Sequence, residues 1–236
     1  MISSIDLFAA ILNMEQHFYT RSVIRSHHNV PYNNVRLGPH QVLHLEDGSR
    51  NEDIVWYGSN YVEEQFLTSI SSRKKLPKFL DKWLGLLRGH PFEDALKGAI
   101  KQYHSALGQT DYHVTVLMLW SSLEIITDTT KSESKITIRR ASALSKRPDV
   151  TKLKLEHVSN VRNRYAHIGS HDDMISDVLE FLRGWVEAML RYAAYSGRSH
   201  KNIYDFCAVL DKASSSKTEL EKDVFISKRA LKLIES

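Results

Sequence analysis

Apolar residues recur at three- and four-residue steps through most of the chain, the spacing that lines one face of a helix. Ser4 stands before Ile5, Phe8, Ala9 and Leu12 at that spacing, which predicts a capped helix running to about residue 25. Residues 26–60 read differently. Pro31, Gly38, Pro39, Gly48 and Gly58 cut this stretch into short pieces, predicting loops with two short strands at 41–45 and 54–57. From about residue 62 the helical pattern is nearly continuous, with helices expected at 61–71, 76–88, 92–107, 111–129, 136–146, 151–168, 173–195, 200–212 and 217–234. Gly108 before Asp111, Pro148 before Thr151, and Gly169 before Asp172 and Asp173 mark turns followed by helix caps. The pattern predicts an all-α fold: a less regular N-terminal segment (1–72) holding a helix and short strands, a helical bundle (73–212), and a C-terminal helix (213–236).

Two stripes carry a charge where an apolar residue is expected. In segment 111–129 the stripe of Leu117 and Trp120 continues to Glu124, one turn after Trp120. In segment 151–168 the stripe of Leu155 and Val158 continues to Arg162 and Tyr165. Opposite charges on core-facing stripes are costly unless paired, so Glu124 and Arg162 are expected to face one another or to share a ligand, the alternative being that both stand at the rim of their stripes with their charged ends in water. The stripe of segment 173–195 (Ile175, Val178, Leu182, Trp185, Met189, Tyr192) has no such interruption and is read as packing alone.

Composition narrows the class. Of 236 residues, 42% are hydrophobic and 25% charged, as in a globular protein with a buried core. The opening residues carry Asp6 and no basic leader, which argues against a secretory signal. The longest apolar run, 114–127, is broken by Ser121, Ser122 and Glu124 and falls short of the roughly 20 residues of a membrane span. The expectation is a cytoplasmic protein that does not enter a membrane. A single cysteine, Cys207, builds neither an intramolecular disulfide nor a cysteine-based zinc site. The pairs His40/His44 and His167/His171 have the spacing of helical metal ligands, but Pro39 and Gly169 disturb both, and neither a metal nor another cofactor is expected.

The formal net charge of +4 is unevenly spread. Residues 131–170 hold ten basic side chains against three acidic ones, an excess of +7, and leave −3 for the rest of the chain. Such a field attracts a polyanion, of which a phosphate backbone is the commonest, although solvated basic helices are also frequent. Arg139, Arg140, Lys146, Arg147 and Arg164 are the candidate RNA contacts.

Inside this basic stretch lies Arg162-Asn163-Arg164-Tyr165-Ala166-His167. Asn163 and His167, four residues apart, share a helix face, whereas Arg162 and His167 lie roughly 140° apart. For both to meet one phosphate, the arginine must swing across or the helix must loosen near Gly169. The arrangement resembles the Arg-x(4 to 6)-His signature of the HEPN superfamily. Leu119-Trp120-Ser121-Ser122-Leu123-Glu124, followed some forty residues later by Val158 to Gly169, is similar to the paired helices of its ApeA-like branch. The resemblance covers about residues 76–212.

The resemblance implies a HEPN-type helical bundle and a metal-independent endoribonuclease, in a setting of phage defence or toxin and antitoxin. It also implies a homodimer in which two motifs face one cleft, with an antitoxin or regulatory protein as a further partner. In that chemistry the RNA 2′-hydroxyl attacks the adjacent phosphate. His167 moves the proton, Arg162 grips the phosphate, Asn163 orients the imidazole or donates to a phosphate oxygen, and Glu124 supports Arg162. The alternative is a non-catalytic module on the same fold that binds RNA, a nucleotide or a protein partner.

Overall fold

The computed structural model describes residues 4–16, 31–33, 35, 40–44, 47–57, 76–169, 174–213 and 215–234. Among them the elements are α1 (Ser4–Gln16), β1 (His40–His44), β2 (Arg50–Tyr57), α2 (Leu76–Leu87), α3 (Glu93–Leu107), α4 (Tyr112–Ile126) and α5 (Ser134–Ser142). They continue with α6 (Pro148–Ile168), α7 (Ile175–Ser196), a single 3-10 turn at Gly197–Ser199, α8 (Ile203–Ala213) and α9 (Lys217–Ile234). The architecture is an all-α bundle with one small hairpin. The expected segment 61–71, the stretch 17–25 of the first helix, and Asp172 and Asp173 lie outside the described residues.

The two short strands form an antiparallel pair with Gln41 opposite Trp56 and Val42 opposite Val55, and an irregularity between Val42 and His44. Gly48 takes φ +81°, a left-handed conformation suited to glycine. The neighbouring Asp47 carboxylate accepts from the Ser49 N–H (2.8 Å) and hydroxyl (2.6 Å).

Most helix limits agree with the apolar periodicity, but the α5–α6 junction corrects it. α5 covers 134–142 rather than 136–146, and α6 starts at Pro148 rather than after a Thr151 cap. Proline has no N–H to satisfy and a φ already suited to the first helical turn, so it opens the helix instead of preceding it. The Thr151 hydroxyl then donates to Ser145 Oγ (2.8 Å) across the turn. Asp111 does cap α4, accepting from the His113 N–H (2.8 Å) and the Val114 N–H (3.4 Å).

α4 is apolar on nearly every side, which forces it inside. α3, α5, α6 and α7 all pack on it. Leu119, Trp120, Leu123 and Ile126 of α4 are fully buried together with Leu96, Ile100 and Tyr103 of α3 and Leu179, Leu182, Val186 and Met189 of α7. Small residues let the α3–α4 backbones approach, and the Ser122 hydroxyl donates to the Ala99 carbonyl (2.8 Å). α6 contributes Leu155, Val158 and Val161 to this core. α9 contributes nothing: it buries no residue and leaves Val224, Phe225, Ile226, Leu231, Leu233 and Ile234 exposed.

α1 packs into the bundle. Leu7, Ala10, Ile11 and Met14 of α1 belong to the same core as the helices after residue 76, and α1 rests on α3. A buried polar cluster fastens it there. Glu187 accepts from the Tyr103 hydroxyl (2.5 Å) and from Arg183 Nε (2.9 Å). Arg183 also donates to the Asn13 and Tyr32 carbonyls (both 3.3 Å), and Arg191 donates to the Met14 carbonyl (2.6 Å). These cations therefore sit at the negative, C-terminal end of α1. Asn13 pairs with both the N–H (2.8 Å) and the carbonyl (2.9 Å) of Val35, as one peptide does with another. Burial and the Glu187 carboxylate push the Tyr103 phenol well above the ordinary tyrosine range.

Arg183 and Glu187 are 2% and 3% exposed, so breaking the pair strands a buried charge. Glu187→Gln is expected to lower unfolding free energy by about 3 to 5 kcal/mol in urea denaturation. Tyr103→Phe, which leaves the ion pair standing, is expected to cost about 1 kcal/mol. Equal losses would contradict this assignment.

Burial holds the His104 imidazole below its ordinary 6.5, opposed in part by Asp6 of α1 at 3.8 Å, and burial holds His90 low as well. Because the unfolded chain binds protons there that the folded chain refuses, stability is expected to fall as pH drops from about 7 to about 5. His104→Gln is expected to flatten that slope, as read by denaturation midpoints at the two pH values.

Candidate functional site

α6 presents the motif on its last two turns. Leu155, Val158 and Val161 turn inward, which leaves His157, Asn160, Arg164 and His167 exposed and places Arg162 and Asn163 at the half-buried margin. The helix stays regular through Ile168 and stops at Gly169, whose φ of +62° is a left-handed cap and whose N–H donates to the Tyr165 carbonyl (2.9 Å).

Arg162 points toward α4. Its Nη2 lies 3.7 Å from Glu124 Oε1, and the same carboxylate oxygen accepts from Trp120 Nε1 at 2.7 Å. The guanidinium carbon lies 5.9 Å from the Trp120 ring centroid, a cation–π approach. Nη1 donates to Asn163 Oδ1 (3.1 Å), while Nε is buried without a hydrogen-bond partner among the described residues. Trp120 thus aims Glu124, Glu124 holds Arg162, and Arg162 orders Asn163. The Glu124–Arg162 pairing expected from the two stripes is present.

A second fastening holds the end of α6. The Tyr165 hydroxyl donates to Asp111 Oδ2 (2.9 Å), and the Tyr165 ring stacks on His113 with centroids 4.7 Å apart. Burial pushes the Asp111 carboxyl up, but the bonds from Tyr165 and from the His113 and Val114 N–H groups prevail and hold it below the ordinary range. The bond to Asp111 raises the Tyr165 phenol. Asp111 therefore caps α4 and anchors α6 at once. Its role as cap is readable from Gly108-x-x-Asp111, but its hold on Tyr165, 54 residues away, has no local signal.

His167 is exposed, and among the described residues no hydrogen bond or ion pair joins it to Arg162 or Asn163. The helix does not loosen before Gly169, so within one chain the arginine and the histidine face different directions.

The basic residues separate into two kinds. Lys146 and Arg147 are exposed in the α5–α6 turn, and Arg164 is exposed on α6. Arg139 is half exposed and donates to Asp211 of α8 (2.8 Å). Arg140 is a correction to the candidate RNA contacts. Its guanidinium holds both Asp211 oxygens (3.0 and 2.9 Å) and the Thr127 carbonyl (2.6 Å), tying α5 to α8 and to the end of α4. Committed to acceptors inside the fold, it is a structural staple.

His40 and His44 occupy the two ends of strand β1, where four residues span about 13 Å, so the helical metal-ligand geometry does not apply. His171 lies outside the described residues. Cys207 is buried, and burial pushes its thiol to about 11.

Compared with protein-family models, curated proteins and solved structures, the chain matches none. The HEPN resemblance therefore rests on the residues quoted above.

Glu124 is 14% exposed and Arg162 27%, so their separation costs less than a fully buried pair would. Glu124→Gln is expected to lower stability by about 1 to 2 kcal/mol in thermal or urea unfolding. Trp120→Phe keeps an aromatic face but loses the N–H and opens space in the core, and is expected to loosen Arg162 with a loss at least as large. Identical stability in Glu124→Gln and the wild type would dismiss the pair as a constraint.

Proposed function

We propose that the chain is a HEPN-type endoribonuclease that acts without a metal ion, as a cytoplasmic homodimer. The observation that carries this reading is the held arginine: Trp120 and Glu124 fix Arg162 beside Asn163, and His167 is exposed further along the same helix. A fixed guanidinium offers paired N–H groups to a phosphate without reorganisation at the moment of reaction. An exposed imidazole is open to a substrate and can serve as general base or acid.

In this mechanism His167 takes the proton from the RNA 2′-hydroxyl, whose oxygen attacks the adjacent phosphorus. The bond to the 5′-oxygen breaks, and that oxygen leaves with the proton that the imidazolium gives back. The products are a 2′,3′-cyclic phosphate and a 5′-hydroxyl. Arg162 stabilises the charge that develops on the phosphate, and Asn163 donates to a phosphate oxygen or orients the imidazole. Because Arg162 and His167 diverge within one chain, a second copy with its own α6 end across the cleft completes the set.

The same divergence favours a second reading, a binding module that holds RNA, a nucleotide or a protein partner such as an antitoxin without cutting anything. Cleavage separates the two.

His167→Ala is expected to slow cleavage of single-stranded RNA by about 100-fold or more with RNA binding retained. Arg162→Ala is expected to impair both. Wild-type cleavage is expected to persist in excess chelator with cyclic-phosphate ends, by a particle of about twice the 27.2 kDa chain mass in sedimentation. Loss of activity with chelator, or 5′-phosphate products, would reject the mechanism. No cleavage of any RNA by a folded dimer would select the binding module.

A further inference from the structure

A groove of about 1050 Å³ runs between α5, α6 from Pro148 to Asn160 and the link from α8 to α9. Its floor is the helix that carries the motif. Asp149, Lys152, Glu156 and Asn160 of α6 line it at steps of three and four residues, and Asn163 and His167 continue that line at the same steps. The groove and the candidate catalytic end therefore lie along one face of one helix. Lys152 and His167 are about 22 Å apart along its axis.

The lining has the chemistry of a single-strand track. Lys135 and Arg139 stand on the α5 side, and Lys152 stands on the floor. Lys135 and Lys152 are exposed and make no ion pair among the described residues, so their charge is available to a phosphate. Asp149 and Glu156 repel phosphates but accept from base N–H groups and ribose hydroxyls, and Asn160 and the serine hydroxyls around them can do either. Cations interleaved with acceptors suit a strand whose bases are unpaired and whose edges are open to contact. A duplex would offer this lining only its backbone. The volume lies at the upper end of the roughly 300 to 1,000 Å³ of small-ligand pockets, and the line from Lys152 to His167 is long enough for on the order of four nucleotides, the lower end of a single-strand site.

We propose that this α5–α6 groove binds the unpaired stretch of RNA adjoining the scissile phosphate, so that the protein selects single-stranded substrates by length as well as by the phosphate it cuts. The inference rests on the ribonuclease reading of the Arg162–His167 motif. Lys135 and Lys152 are its binding residues, and neither belongs to the motif.

The test uses the full chain carrying His167→Ala, so that RNA binds without being cut, and labelled oligoribonucleotides of three and of twelve nucleotides read by fluorescence anisotropy. Lys135→Glu with Lys152→Glu is expected to weaken twelve-nucleotide binding by about 10-fold or more and leave three-nucleotide binding unchanged. The slope of log affinity against log salt is expected to fall by about 1.4, the share of two phosphate contacts on a single strand. Lys135→Gln with Lys152→Gln, which keeps the fold should the reversal disturb it, is expected to move both readouts the same way by less. Lys101→Glu, on α3, is expected to change neither. Twelve-nucleotide binding unmoved by the paired variants overturns the groove, even where the wild type cleaves RNA. Equal affinity for both lengths, or full competition by a mononucleotide, also overturns it in favour of a small-ligand pocket. Length-dependent binding that the paired variants abolish, with no cleavage of any RNA by the wild type, upholds the groove and overturns the ribonuclease reading instead.

Discussion

One helix that cannot face water organises this molecule. α4 is apolar almost all round, and leaving it exposed would forgo the burial of Leu119, Trp120, Leu123 and Ile126, each worth roughly 1.5 to 3 kcal/mol. It can be covered only if other helices surround it, and α3, α5, α6 and α7 do so. The remaining helices follow from what those four leave uncovered. α1 closes over α3, and α8 closes over α5. α9 has nothing left to cover and stays outside.

That constraint gives the one charge on the α4 stripe its significance. Glu124 has to be satisfied where it stands, and the groups within reach are the Trp120 indole N–H on its own helix and the Arg162 guanidinium on α6. The arginine of the motif is therefore positioned by the core rather than by the surface it is proposed to serve. A parallel arrangement operates one turn away, where Asp111 both caps α4 and receives Tyr165. The two contacts clamp the end of α6 at successive turns through two residues of the motif itself, Arg162 and Tyr165. Preorganisation of this kind is what an electrostatic role in catalysis requires, because groups already in place need no rearrangement as charge develops.

Charge at the surface and charge in the fold do different things, though a sequence count merges them. Arg140 and Arg183 are cations spent on internal acceptors: Asp211 and the Thr127 carbonyl for the first, Glu187 and the end of α1 for the second. Lys135, Lys146, Arg147 and Lys152 are exposed. The basic excess of residues 131–170 is thus partly structural. What remains for a polyanion is concentrated on α5, the α5–α6 turn and the start of α6, the stretch that leads toward Arg162.

The sequence alone determined the helices, their order and their inward faces, because periodicity and capping are local properties of a few adjacent residues. Leu155, Val158 and Arg162 announce the buried side of α6, Gly169 announces its end, and Glu124 and Arg162 declare themselves as charges out of place. The α5–α6 junction was misread locally, since Pro148 serves equally as a turn residue and as a first helical residue. The tertiary structure decided what no neighbouring residue records. It set Arg140 against Asp211, 71 residues on, and Tyr165 against Asp111, 54 residues back. It merged α1 into the core behind residue 76 through Arg183, and it turned Arg162 away from His167. Each of these depends on which helix lies across from which, and that is settled by the joint burial of all the apolar faces at once.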